Sequence, residues 1–291
     1  MKHPIPIHES TRIHPKTGEW LPQSFDMCLD ELEHLKQVAV QSNALLLFRG
    51  HSHRKWRLDS TFVRSVKSRL FDMDSAEGFL QRLWNSNDLN VTLSSLLLLK
   101  FGALVGPSDE LLFVAEKNDA DPWFELMKRF QQYPNEDKLP LKGTNLVDWS
   151  KSCEVALYFA NEQRNGSGAI FICDATATGK TLQTTAVADI LDKVRIQMKQ
   201  GLPNGAPLLF SPKKQIAYER AKNQQAVYFA QMDLRVDLLE FWQAQEWSNP
   251  GETIAIKVVI PPGSEQECAA YLASRGINRE FIYPDVKELP S

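Results

Sequence analysis

The run Ala44-Leu45-Leu46-Leu47-Phe48-Arg49-Gly50 constrains this chain more than any other stretch. A continuous apolar run of this length reads as a strand covered on both faces, and this one ends on an arginine. A guanidinium at the end of a buried strand needs an anionic partner or a ligand, because charge taken out of water without one is costly. The basic character then continues. Residues 49–69 hold seven Lys/Arg and one acid, Asp59, in a chain whose net charge is −3. Taken singly these cations suit a solvated face. Taken together, with Trp56 and Phe62 interleaved, they suit a pyrophosphate or a nucleic-acid backbone.

The rest of the composition narrows the choice. With 291 residues, 43% apolar and 24% charged, the chain can bury an ordinary core as one large or two small domains. Its 33 basic and 36 acidic residues give no molecule-wide field favouring nucleic acid, so any anion site must be local. Cys28, Cys153, Cys173 and Cys268 show neither CxxC spacing nor a nearby His pair, so neither a metal site nor a disulfide framework is expected, and a reducing cytoplasm is the expected location. No apolar leader core precedes residue 20, and the longest apolar run, near residues 96–99, is too short to cross a bilayer.

Along the chain, Ser24 is placed to cap a helix to about Gln41 whose apolar face packs on the strand after it. Residues 75–133 read as a helical block in three or four pieces, with Asp121 before Pro122 as one helix start. From residue 144 onward short strands and helices alternate without a regular βαβ period. An α+β fold with an inserted helical block is expected, its domain spanning 24–291 after an extension at 1–23.

Four motifs carry candidate chemistry. The loop "ATATGKT" follows a strand, as a phosphate loop would. The position five before Gly179 is Asp174, where a phosphate loop needs glycine, so a capped turn is expected instead. In "TNLVDWSKSCEVALYFA", Asp148 and Trp149 close a strand and Ser150 is placed to cap the next helix. A corner with Trp149 in the core and Asp148 holding backbone amides explains that spacing. So does a pocket in which Trp149 stacks a planar ring. In "ERAKNQQAVYF", Gln224 and Gln225 read first as surface amides and Arg220 as an ion-pair partner. The six histidines do not cluster except for His51 and His53 beside Arg49, and no hydrolase triad has recognisable elbow chemistry.

Three blocks in order, "FRG" with "WRLDSTFVR", "LVDWSKSCEVALYFA" and "ERAKNQQAVYF", followed by the ending "IPPGSEQECAAYLASRGINREFIYPD", resemble the FRG-domain family. The chain departs from that family where Gln132 stands for a histidine and Asn145 for an arginine. FRG domains are similar in layout to ADP-ribosyltransferases, which implies a split mixed sheet with the helical block inserted, and NAD as substrate. The setting implied is bacterial or phage defence, or a toxin, with protein, RNA or DNA as acceptor. The same resemblance implies Arg49, His51, Arg64, Trp149 and Tyr158 as NAD contacts, and Asp148, Ser150 and Gln224 as catalytic candidates. Asp148 is expected to be the acid, with Arg49 lowering its pKa. The family glutamate falls on Gln224 or Gln225, which also leaves open a non-catalytic nucleotide or nucleic-acid sensor.

Overall fold

The first helix forms as its sequence predicts. Helix α1, Phe25–Ser42, starts at Ser24, whose hydroxyl accepts from Met27 N at 3.2 Å. It ends on Asn43 in the left-handed region, φ 52°, where the Asn43 N–H returns to the Ala39 and Val40 carbonyls. Phe25, Cys28, Leu32, Leu35 and Ala39 make its buried stripe, which packs with Leu46 and Phe48 of strand β1, Leu46–His51.

In the computed structural model the described residues are 19–72, 86–105, 141–177, 182–185, 187–200, 205–212, 219–248 and 254–284. After β1 come α2 (Thr61–Asp72), α3 (Asn87–Val105), β2 (Leu146–Ser150), α4 (Cys153–Asn161), β3 (Gly168–Asp174), β4 (Gln183–Thr185), α5 (Val187–Lys199), β5 (Leu208–Pro212), α6 (Glu219–Asn223), β6 (Ala226–Ala230), α7 (Leu238–Ser248), β7 (Ala255–Ile260), α8 (Glu265–Ser274) and α9 (Arg279–Ile282). The fold is α+β around one mixed seven-stranded sheet, ordered β4-β5-β6-β2-β1-β3-β7, antiparallel except for the β4–β5 pair. Of the expected helical block at 75–133, α3 is described and helical; Asp121, Pro122 and Gln132 lie outside the described residues.

The middle of the sheet is its weakest seam. β1 shares six register positions with β3, and β2 shares five with β6, but β1 and β2 meet only at Phe48 and Ser150. The strands part beyond that pair and divide the sheet into two halves. Alternation along the strands sorts the core accordingly. Leu47, Val147, Trp149, Phe171, Val227 and Phe229 form one continuous cluster with Trp242 of α7. The alternate residues split between two others: Phe48, Ile170 and Val258 pack with α1, α4 and α8, while Leu146, Phe210 and Tyr228 pack with α2, α3 and α5.

Two local expectations resolve at the strand ends. Asp174 Oδ1 accepts from Thr176 N (2.8 Å) and Ala177 N (3.1 Å), the capped turn expected in place of a phosphate loop. Helix α4 is capped by Ser152 rather than Ser150: Ser152 Oγ accepts from Val155 N at 3.2 Å and donates to Glu154. Ser150 is still a strand residue, so the cap falls two positions later.

Glu19 and Trp20, ahead of the expected domain start, belong to the packed body. Trp20 bridges Val258 at the β7 edge, and Glu19 pairs with Arg54 (2.5 Å) and Lys257 (2.6 Å).

Candidate functional site

Where β1 and β2 diverge, a cleft of about 1150 Å³ opens. Each residue of the Phe48-Arg49-Gly50 tripeptide has a separate task there. Phe48 is buried against α1 and α4. Gly50 lies so close to α4 that a Cβ would stand 1.8 Å from the Ala156 carbonyl oxygen and 2.6 Å from Ala160 N. Arg49, on the opposite face, extends into the gap.

Its guanidinium is fixed from two sides. Nε donates to His51 Nε2 at 3.0 Å, and Nη1 donates to the Asp148 carbonyl across the seam, with the Asp148 carboxylate 4.0 Å away. Because His51 accepts at Nε2, the neutral ring carries its proton on Nδ1. Nη2 donates to nothing among the described residues, and the side chain keeps 18% of its exposure on the cleft side. Arg64, from α2, donates to the Asp59 carbonyl and to Thr61 Oγ1, both at 3.0 Å, and lines the same space.

The electrostatics report a surplus of positive charge. Burial pushes Arg49 down to about 10, Asp148 opposing and Arg64 adding to the fall. His51 is pushed well below 6.5 by burial and then by Arg49 and Arg64. Burial also lowers Arg64, against the pull of Asp59 and Asp148. The lining carries Arg49, Lys55, Arg57, Arg64, Lys67, Arg220 and Arg279 against Asp59, Asp148 and Glu162. Asp59 is itself spent on Lys67 (2.6 Å) and Arg57 (3.4 Å). An anion entering here would meet donors whose charge the protein has not neutralised.

Asp148 faces the cleft with its side chain 54% exposed. Its carboxyl is nevertheless held above 3.8, because burial of the group at the cleft floor raises it more than Arg49, Arg220 and Arg64 lower it. The expected lowering by Arg49 alone is thus outweighed. Nor does the Asp148 carboxylate cap a backbone amide of the following turn among the described bonds; the Lys151 N–H goes to the Gln225 carbonyl.

Trp149, Ser150 and Gln224 also line the cleft, but with their groups engaged inside the protein. Trp149 alternates to the other face of β2, 2% exposed, with Phe229 at 5.8 Å and Trp242 at 5.7 Å between ring centroids. It has no ring face to offer a ligand. The Ser150 hydroxyl donates to the Gln224 carbonyl (2.7 Å) and accepts from Ser152 N (2.9 Å), so its one proton is committed inside the protein. Gln224 borders the cleft, but its amide donates to the Ile282 carbonyl at 2.9 Å and Asn223 donates to that of Phe281. These amides moor α9. Gln225 is the left-handed turn residue before β6, φ 45°. Tyr158 lies outside the lining, edge-on to Tyr283. Asn145 is fully buried and donates to the Gln231 carbonyl, a packing position rather than a site.

The mooring brings in residues the sequence did not single out. Tyr283 donates to Glu162 at 2.9 Å and lies beneath Arg220 (4.7 Å) and Arg279 (5.8 Å). Phe159 lines the wall nearby. Tyr283 sits in the Tyr-Pro-Asp ending, the one signal that pointed to it. Glu162 follows a helix end and carries no local signal. Among the described residues no His/Cys/Asp/Glu group could hold a metal ion, and no helix is long and apolar enough to cross a membrane.

No family model, curated protein or solved structure matches this chain. The likeness to FRG domains rests on the quoted motif blocks alone.

Proposed function

We propose that the chain is an FRG-type domain of ADP-ribosyltransferase architecture that binds NAD in this cleft and transfers ADP-ribose to an acceptor macromolecule in a bacterial defence or toxin setting. The observation that carries the reading is Arg49: a strand-end guanidinium pinned by His51 and the Asp148 carbonyl at the mouth of a parted sheet, with donors left over and no full counter-charge. Such a group suits a pyrophosphate oxygen. The cleft volume exceeds the roughly 300–1,000 Å³ of ordinary small-ligand pockets, so a dinucleotide has room.

In the reaction the bond between ribose C1′ and the nicotinamide nitrogen breaks, and nicotinamide leaves with the electron pair. The acceptor's nucleophile forms the new bond at C1′, and its proton passes to a base. Positive charge develops on the ribose, and an ionised Asp148 is the acid placed to stabilise it. Because its carboxyl is held above the ordinary value, turnover should fall as pH drops through that raised value.

A second reading, a nucleotide sensor without turnover, draws on Gln224. The family's glutamate position holds an amide already bonded to Ile282. Release of nicotinamide from NAD by purified protein, alone and with cell extract, decides between them. For the enzyme, Asp148→Asn should leave NAD affinity nearly unchanged and lower turnover by roughly 10² or more. No turnover in either form, with nucleotide still bound, assigns the sensor.

A further inference from the structure

We infer that the rim of this cleft docks a single-stranded nucleic acid, one base stacking on Trp56 and the adjoining phosphates meeting Lys55 and the unpaired arginines of the cleft. On the transferase reading that strand is the acceptor, and the inference rests on that reading for this meaning alone.

Trp56 is the starting observation. Among the described residues Val40, Leu96, Leu99 and Ile196 are also large, apolar and exposed, but they lie on α1, α3 and α5, away from the cleft. Trp56 alone of the set lines it, 55% exposed. The indole is also held in place. His53 stacks on it at 6.0 Å and 19°, His51 meets it edge-on at 5.9 Å, and the backbone N–H of Trp56 bonds the His53 carbonyl at 3.1 Å. The Arg54 N–H bonds the Ser167 carbonyl at 2.8 Å, which ties the loop to the body. A large aromatic surface fixed in solvent is a stacking platform, made without ordering cost at binding.

The cations around it divide into spent and unspent. Arg57 meets Asp59, Asp237 and Glu240, and Lys67 meets Asp59. Lys55, Arg64, Arg220 and Arg279 make no ion pair within 4.0 Å among the described residues, though Asp59 and Asp148 pull on Arg64 and Arg220 acts on Asp148 from farther off. A second aromatic, Tyr283, lies beneath two of these, Arg220 and Arg279, its hydroxyl fixed by Glu162. Aromatic platforms interleaved with unneutralised cations match the alternation of base and phosphate in a strand. An acidic peptide would use the cations and leave the indole idle. A duplex keeps its base faces stacked inside, so the partner is single-stranded.

The test is fluorescence anisotropy of the full chain with labelled oligo-dT and oligo-U of roughly ten nucleotides, a length within the span of known single-strand sites, without NAD. The competitors are a duplex of the same length, heparin and a poly-glutamate peptide. Single strands should bind best. Trp56→Ala should weaken them by roughly fivefold or more, the lower end for one base stack, while Trp56→Phe keeps most of the affinity. Lys55→Gln should flatten the dependence of log K on log salt by about 0.7, one phosphate's worth. The inference is overturned by no binding, by Trp56→Ala binding as well as wild type, by Phe failing as badly as Ala, or by heparin or poly-glutamate competing as well as the strand. Strand binding without nicotinamide release sinks the transferase reading alone; release without strand binding sinks this inference alone.

Discussion

Arg49 is held by neutral partners, a carbonyl and an imidazole, while its formal counter-ion stands 4.0 Å off. That arrangement positions the fork without quenching it. Arg49→Lys keeps the charge and loses the bidentate geometry, so ADP-ribose measured by calorimetry should bind more weakly by roughly 1–3 kcal/mol; equal affinity would remove Arg49 from the ligand's contacts. His51 contributes a pH dependence whose sign follows from its depressed value. Below 6.5 the unfolded chain takes up a proton that the buried native ring resists, so stability falls as pH falls through that window. Asp148 works oppositely: its native carboxyl keeps a proton above 3.8, so its contribution falls as pH rises toward the raised value. His51→Gln keeps an acceptor for Arg49 and removes the titration. Between about pH 7 and pH 5 the variant should therefore lose less melting temperature than wild type, and identical losses would mean that His51 does not titrate as a buried neutral ring.

At the scale of elements, the site depends on β1 lying flat against α4. Gly50→Ala would drive a methyl into the Ala156 carbonyl, backbone against backbone, with nothing flexible to yield. The cost should reach the upper end of overpacking, about 3 kcal/mol, and calorimetry should show a melting temperature lower by roughly 6–12 °C; a shift within about 2 °C would mean that the helix can retreat. The contact also explains what was legible in the sequence. The apolar run, the Ser24 cap and the turn at Asp174 are local rules of spacing and capping, and they appear where the residues predict. Trp149 was half legible: "LVDWS" fixes alternation, so Asp148 and Trp149 must face opposite ways, but not which of them faces the cleft. The partners of Ser150 and Gln224 were illegible for a different reason. Their bonds join residues 74 and 58 positions apart, and spacing within a motif holds no information about them. Arg279 and Tyr283, at α9, were hidden likewise, because the contacts that bring them to the cleft, from the Asn223 and Gln224 amides and from Glu162, come from distant parts of the chain.

At the scale of the molecule, charge is distributed unevenly enough to matter. The chain carries −3 overall, yet the cleft gathers seven basic side chains against three acidic ones, one of which is neutralised locally. Long-range attraction for polyanions is therefore weak, and affinity must come from short-range contacts at the seam between the two half-sheets. A ligand there touches both halves at once, since Arg49 comes from β1 and Asp148 from β2, and those strands share a single register pair. Binding should then stabilise the fold as a whole by mass action. At about 100 times its dissociation constant a ligand adds about 2.7 kcal/mol, which in a chain of this size is roughly 5–10 °C in melting temperature. ADP-ribose and NAD, which carry the pyrophosphate, should produce that shift, and nicotinamide alone should produce almost none. Arg49→Ala should abolish the shift while keeping a cooperative transition. Nicotinamide matching ADP-ribose, or a shift that survives Arg49→Ala, would place the binding energy somewhere other than the arginine that ends β1.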